Sequence, residues 1–205
     1  MRKQLLFCFL ALGLLSSCRT ANNSGSFTDP RDGQSYKTVN LSGNVWMAEN
    51  LRFEHAEAQP YGKDESKKSD GLLYSLAGAR NACPEGWHLP SVAEWKFLLK
   101  KAGGYYHEVV NGRKPERKDS PSSVFLKINE GDGFGFPVLP IGWGSPKNGG
   151  LFMDQGKKTA FWSDTGHPTM RKYHKFVLFN FEEQRVTITQ KPFDDLLLPC
   201  RCVQD

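Results

Sequence analysis

Beyond its first residues this chain has no hydrophobic run long enough to cross a bilayer, which takes about 20 residues as a helix. No internal span is therefore expected. Acidic residues are missing from the whole segment before Cys18, where Arg2 and Lys3 precede the apolar run Leu5 to Leu15. That run is itself too short for a span, and its basic flank is that of an export signal. Cysteine pairs at zinc-ribbon spacing are lacking, so neither a metal nor a cofactor is expected. A long basic patch is lacking as well: 27 Lys and Arg are interspersed with 22 acidic residues, which speaks against a nucleic-acid partner.

What the N-terminus does have is Leu15-Ser16-Ser17-Cys18, which resembles a bacterial lipobox. The expectation is a signal peptide over 1–17, cleavage before Cys18 and acylation of its thiol. The partner is then the membrane, held through acyl chains that contribute about 0.8 kcal/mol per buried methylene. The address is the cell envelope, lipid-anchored, at the outer membrane or cell surface. Cleavage leaves 188 residues and, with Arg2 and Lys3 gone, lowers the formal charge from +5 to +3. Residues 18–26 are small and polar and read as a lipidated tether, and 27–205 as one folded domain.

Along that domain, Tyr36 to Leu41 and Asn44 to Ala48 are strand-like runs split by Ser42-Gly43, which predicts a hairpin. Leu72 to Cys83 carries an apolar stripe at helical spacing and stops at Pro84. Ser91 stands three residues before Glu94, a capping box that opens a second helix, and Gly103-Gly104 ends it. Trp95, Leu98, Leu99 and Ala102 form its inward face. The stretch past Gly104 loses periodicity and reads as ordered loops with brief strands, with a polar insertion over 105–122. Thr159 to Ser163, Lys172 to Phe181 and Arg185 to Thr189 are strand candidates, with a turn over Asn180 to Gln184 and a last short strand at Arg201 to Val203.

Two stretches resemble a C-type-lectin-like domain: YSLAGARNACPEGWHLPSVAEWKFL, residues 74–98, and the closing RCV. A closer resemblance is to the Fibrobacter succinogenes major paralogous domain family of bacterial lipoproteins. It is carried, in order, by DPRDGQSYKTV, VWMAENL, CPEGWHLPSVAEW, GFGFPVLPIGW, FWSDT and RCVQD. The fold this implies is α+β, a C-type-lectin-like single domain with two helices packed on short antiparallel strands and long ordered loops. The resemblance also implies a Cys83–Cys202 disulfide, a loop closure of roughly 4 to 5 kcal/mol in the chain-entropy account. Cys200 departs from the family pattern, where an apolar residue is usual. It is expected on the opposite face from Cys202 and outside the bond, as a buried hydrophobe, an exchange partner or a link to another chain.

Sugar-binding lectin domains hold calcium with a Trp-Asn-Asp triplet that does not occur here, and Asp194 and Asp195 in KPFDDL read as a solvated turn. His88 reads as a hydrogen-bonded spacer, and Trp46, Trp87, Trp95 and Trp162 as core. Trp143 stands between Gly142 and Gly144, which are taken to leave the backbone exposed for stacking on a sugar or partner side chain. With Phe134, Phe136 and Phe152 it forms the candidate ligand-binding set. The function expected is a surface-anchored, non-catalytic binding or adhesion module for a glycan or surface protein, with no catalytic residues. The alternatives are an envelope assembly subunit, or an enzyme related to the formylglycine-generating oxidases, which share lectin-like topology at a distance and use a Cys pair.

Overall fold

Ser42 and Gly43 take the left-handed backbone that a two-residue hairpin turn requires, with φ of 58° and 99°. Asn40 fixes the turn by accepting the Gly43 amide at 2.8 Å. A computed structural model describes residues 24–56, 58–103, 107–109, 123–129, 134–146 and 150–205. In it the hairpin arms are β2 (Ser35–Leu41) and β3 (Asn44–Met47), preceded by β1 (Ser24–Thr28), which pairs antiparallel with β2. β1 takes in Ser24 to Ser26, ahead of the expected start at Phe27, because these residues find ladder partners in Lys37 to Val39. The signal peptide, Cys18 and the tether up to residue 23 lie outside the described residues, as does most of the insertion over 105–122.

After β4 (Ala58–Gln59) and 3-10 turns at Tyr61–Lys63 and Glu65–Asp70 come β5 (Leu73–Tyr74) and helix α1 (Leu76–Ala82). The helix expected from Leu72 is therefore shorter. The Ser75 side chain accepts the Gly78 amide and caps α1, while Leu73 and Tyr74 pair with β4 as strand. Gly86 takes φ 77° in the turn after Pro84, and the chain runs through β6 (Trp87–His88) into α2 (Val92–Lys101). Both arms of the Ser91–Glu94 capping box are formed. Beyond α2 lie β7 (His107–Glu108) and α3 (Ser123–Asn129), a helix in the stretch expected to be ordered loops with brief strands. The chain continues through β8 (Trp143–Ser145), β9 (Leu151–Met153), β10 (Lys158–Gly166), β11 (Tyr173–Asn180) and β12 (Arg185–Pro192) to β13 (Val203–Gln204).

The fold is α+β. One sheet has the order β1-β2-β3-β13-β6 and another β10-β11-β12-β7, with β8–β9 and β4–β5 as separate pairs. β10 and β11 bury residues on both faces, whereas β12 alternates buried Val186 and Ile188 with half-buried Arg185, Thr187 and Thr189. Phe161, Val177, Phe179, Val186 and Ile188 face one core, shared with Trp46, Trp95 and α3. Ala160, Trp162 and Phe176 face the other, shared with Tyr36, Tyr74 and the late cysteines. Two indoles join these layers through satisfied N–H groups: Trp95 donates to the Trp162 carbonyl at 3.2 Å, and Trp162 to the Tyr74 carbonyl at 2.8 Å. The four tryptophans assigned to the core are all buried. No helix among the described residues is long and apolar enough to cross a membrane.

Candidate functional site

Phe134 and Phe136 are core residues, 5 % and 0 % exposed, which corrects their assignment to a ligand surface. The reason is local. The segment from Phe134 is extended and alternates, with Phe134, Phe136 and Val138 buried and Gly135, Pro137 and Leu139 exposed. The Phe136 ring packs edge-on against Trp46 and Trp95, at 5.8 and 6.0 Å between centroids. Arg201 locks it there: its buried guanidinium lies 4.3 Å over the Phe136 ring, and it donates to the Asn50 side chain and the Pro137 carbonyl. Burial lowers the Arg201 pKa to about 9. Phe152 is half-buried and turned to Tyr61, 5.2 Å between ring centroids, beside the small core of Leu73, Ile141 and Leu197.

Trp143 behaves differently, and its two glycines explain why. Gly142 has φ 78°, and a Cβ there would meet the Met153 carbonyl oxygen and the Tyr61 ring. Gly144 exchanges both backbone hydrogen bonds with Leu197, at 2.9 Å each, and a Cβ there would press on the Leu197 side chain at 3.2 Å. The glycines are thus buried and allow close approach of neighbouring chain. They do not leave the backbone exposed, contrary to the sequence reading. What they leave half-exposed is the indole.

That indole lines a cleft of about 140 Å³. Ser145 and Met153 come from the β8–β9 pair, Lys191 and Pro192 from the end of β12, and Asp195 and Leu196 from the segment after it. The Ser145 hydroxyl donates to Asp195 at 2.7 Å, which orients the carboxylate. Lys158 and Lys191 place their ammonium groups 5.9 and 6.0 Å from the indole centroid. Lys158 is also paired with Asp154 at 3.3 Å, whereas Lys191 has no carboxylate partner among the described residues. The cleft therefore combines an aromatic face with a carboxylate, a hydroxyl and an ammonium group. Asp195 had read as a solvated turn, and Ser145, Met153, Lys191, Pro192 and Leu196 carried no signal in the sequence, because only the topology brings them together.

His88 is hydrogen-bonded at both ring nitrogens in the connection between α1 and α2. Its Nε2 meets Glu94 at 2.8 Å and its Nδ1 meets Asp205 at 2.5 Å. Cys83 and Cys202 form the disulfide that the resemblance implied, joining the end of α1 to the residue just before β13 over 119 residues. Cys200 is outside the bond but is not on the opposite face. Residues two apart in extended chain point the same way, and the Cys200 sulfur lies 4.0 Å from that of Cys83. All three sulfurs lie within 4.8 Å of one another. Cys200 is 0 % exposed, so it cannot reach another chain from the folded state.

Comparison with curated proteins and with solved structures finds no match. The lectin-like expectation accordingly has no solved structure to support it, and the fold stands as α+β. The family comparison does give a match, to the Fibrobacter succinogenes major domain over residues 39–204. This span runs from the hairpin through both sheets to β13 and takes in the cleft, and the chain belongs to the Fibrobacter succinogenes major domain family.

Proposed function

We propose that this protein is a lipid-anchored envelope module that binds a glycan or surface-protein ligand without catalysis, through the cleft at Trp143. One observation carries the reading. Among the five tryptophans, four are buried in the two large cores, and Trp143 alone keeps part of its ring at a cleft edged by convergent polar groups. An aromatic face with a fixed carboxylate, a hydroxyl and an ammonium group is chemistry suited to a polyhydroxylated ring, whose apolar face stacks while its hydroxyls hydrogen-bond.

Two features weigh against the other readings. Oxidase chemistry of the formylglycine-generating kind needs a cysteine pair in a substrate groove. Here Cys83 and Cys202 are bonded to each other, and Cys200 and Cys202 are buried. An assembly subunit linked through Cys200 would need that sulfur at the surface. The test is a glycan-array and cell-surface binding screen with the mature chain carrying Cys18→Ser. The reading expects at least one ligand whose binding is lost with Trp143→Ala, and binding that is indifferent to Trp143 and Lys191 would overturn it.

A further inference from the structure

The binding reading leaves the three-sulfur cluster unused. Its parts are held by separate, firm attachments. Cys83 follows directly on α1, whose last carbonyl, that of Ala82, accepts from Arg31 at 2.7 Å. Cys200 and Cys202 flank the buried Arg201, and their carbonyls accept from the Leu51 and Met47 amides at 2.9 and 3.0 Å. This ladder holds both side chains close to Cys83. With all three sulfurs within 4.8 Å the cluster is bent, so the Cys200 side chain must rotate into line with the Cys83–Cys202 bond before it attacks.

We propose that Cys200 is a second, built-in partner for Cys83, so that the domain carries its long-range crosslink as either of two disulfide isomers and exchanges between them. The step is balanced within the chain. The Cys200 thiol releases its proton and the thiolate attacks the Cys83 sulfur. The Cys83–Cys200 bond forms as the Cys83–Cys202 bond breaks, and Cys202 leaves as a thiolate that takes up a proton. No oxidant or reductant is consumed. Cys83 is only half-buried while the other two are enclosed, so it is the sulfur that a small external thiol reaches first. After such an attack, Cys200 or Cys202 can expel the adduct, which makes the crosslink self-repairing. Burial raises the Cys200 thiol to about 12, so thiolate is scarce near neutrality and exchange is slow. Its rate should climb about tenfold per pH unit in the alkaline range below that value, in step with the thiolate fraction.

Trypsin cuts after Arg201 and so separates Cys200 from Cys202, which lets peptide mapping distinguish the isomers. Exported wild-type protein is incubated with a trace of 2-mercaptoethanol at pH 8 and pH 9 and quenched with acid. It is then denatured in the presence of excess alkylating agent, so that the buried thiol is blocked as it is exposed, and mapped without reduction. The expected result is a Cys83–Cys200 linked peptide that accumulates about tenfold faster at the higher pH. Oxidised Cys202→Ala should likewise hold Cys83–Cys200 with no free thiol, and Cys200→Ala should hold Cys83–Cys202 and show no exchange. A folded Cys202→Ala protein that keeps both remaining thiols free would overturn the proposal. If that variant does not fold, the wild-type map decides alone, and absence of the Cys83–Cys200 peptide at pH 9 overturns it.

Discussion

The Nε2 of His88 lies 2.8 Å from the Oε1 of Glu94, which ties strand β6 to the capping box of α2. The other ring nitrogen meets Asp205, so the imidazole bridges two carboxylates. Partial burial opposes its charge, but the hydrogen bonds to Glu94 and Asp205 outweigh this and raise its pKa above 6.5. Glu94 is also opposed by burial, yet its bonds to Ser91 and His88 lower its pKa below 4.5.

The signs define a window. A raised His pKa gives stability that is full below about 6.5 and is lost as pH rises through the folded value. A lowered Glu pKa gives stability that is present above about 4.5 and is lost as pH falls through the folded value. The pair therefore helps most between these limits. Because His88 is 41 % exposed at its side chain, the gain is screened to about 1 kcal/mol or less. Burial lowers His107 and His174 instead, and these lose stability as pH falls. The His88 part is isolated by difference: urea unfolding at pH 6 and pH 8.5 should show a loss in wild type that His88→Gln does not share.

Gly142→Ala should destabilise by about 2 kcal/mol, since the residue combines a left-handed φ with a backbone oxygen in the way of any Cβ. The methyl group would press on Met153 and part the β8–β9 pair that carries Trp143 and Ser145. Thermal unfolding measures the stability change, and a variant as stable as wild type would mean that the close approach is relaxed.

Cys18 is expected to be the acylated N-terminus, from the Leu-Ser-Ser-Cys site after the apolar run. Metabolic labelling with a fatty-acid analogue should mark wild type and spare Cys18→Ser. Equal labelling of the two would end the anchor.

Much of the frame was legible because local rules and tertiary demands agree. Ser42-Gly43 encodes its hairpin, Ser91 and Glu94 cap α2, and the runs at 159–163, 172–181 and 185–189 lie in the antiparallel strands β10, β11 and β12. The misreadings arose where one pattern fits two structures. The apolar cluster Leu72-Leu73-Tyr74 suits a helix stripe or a short buried strand, and Ser75, the true N-cap, marks the boundary. Helix α3 is short, with Val124, Phe125 and Ile128 as its buried face, and it sits in a stretch dominated by Gly and Pro. The period-two alternation from Phe134 to Leu139 carried a usable signal for burial and was masked by the glycines and prolines between the rings. The cleft was legible only at Trp143. Lys191 and Asp195 reach it because β12 ends beside β8, and no spacing in the sequence records that.

On the proposed function, Trp143 serves recognition while Phe134 and Phe136 serve packing. The most direct measurement is a paired comparison of Trp143→Ala and Phe136→Ala, reading ligand affinity by titration and stability by thermal unfolding. Trp143→Ala should weaken binding by about 2 kcal/mol, close to thirtyfold, with little change in melting temperature. Phe136→Ala should cost about 3 to 5 kcal/mol of stability, since it empties the space between Trp46, Trp95 and Arg201. A large fall in melting temperature for Trp143→Ala with affinity retained would make Trp143 a packing residue and move the binding site elsewhere.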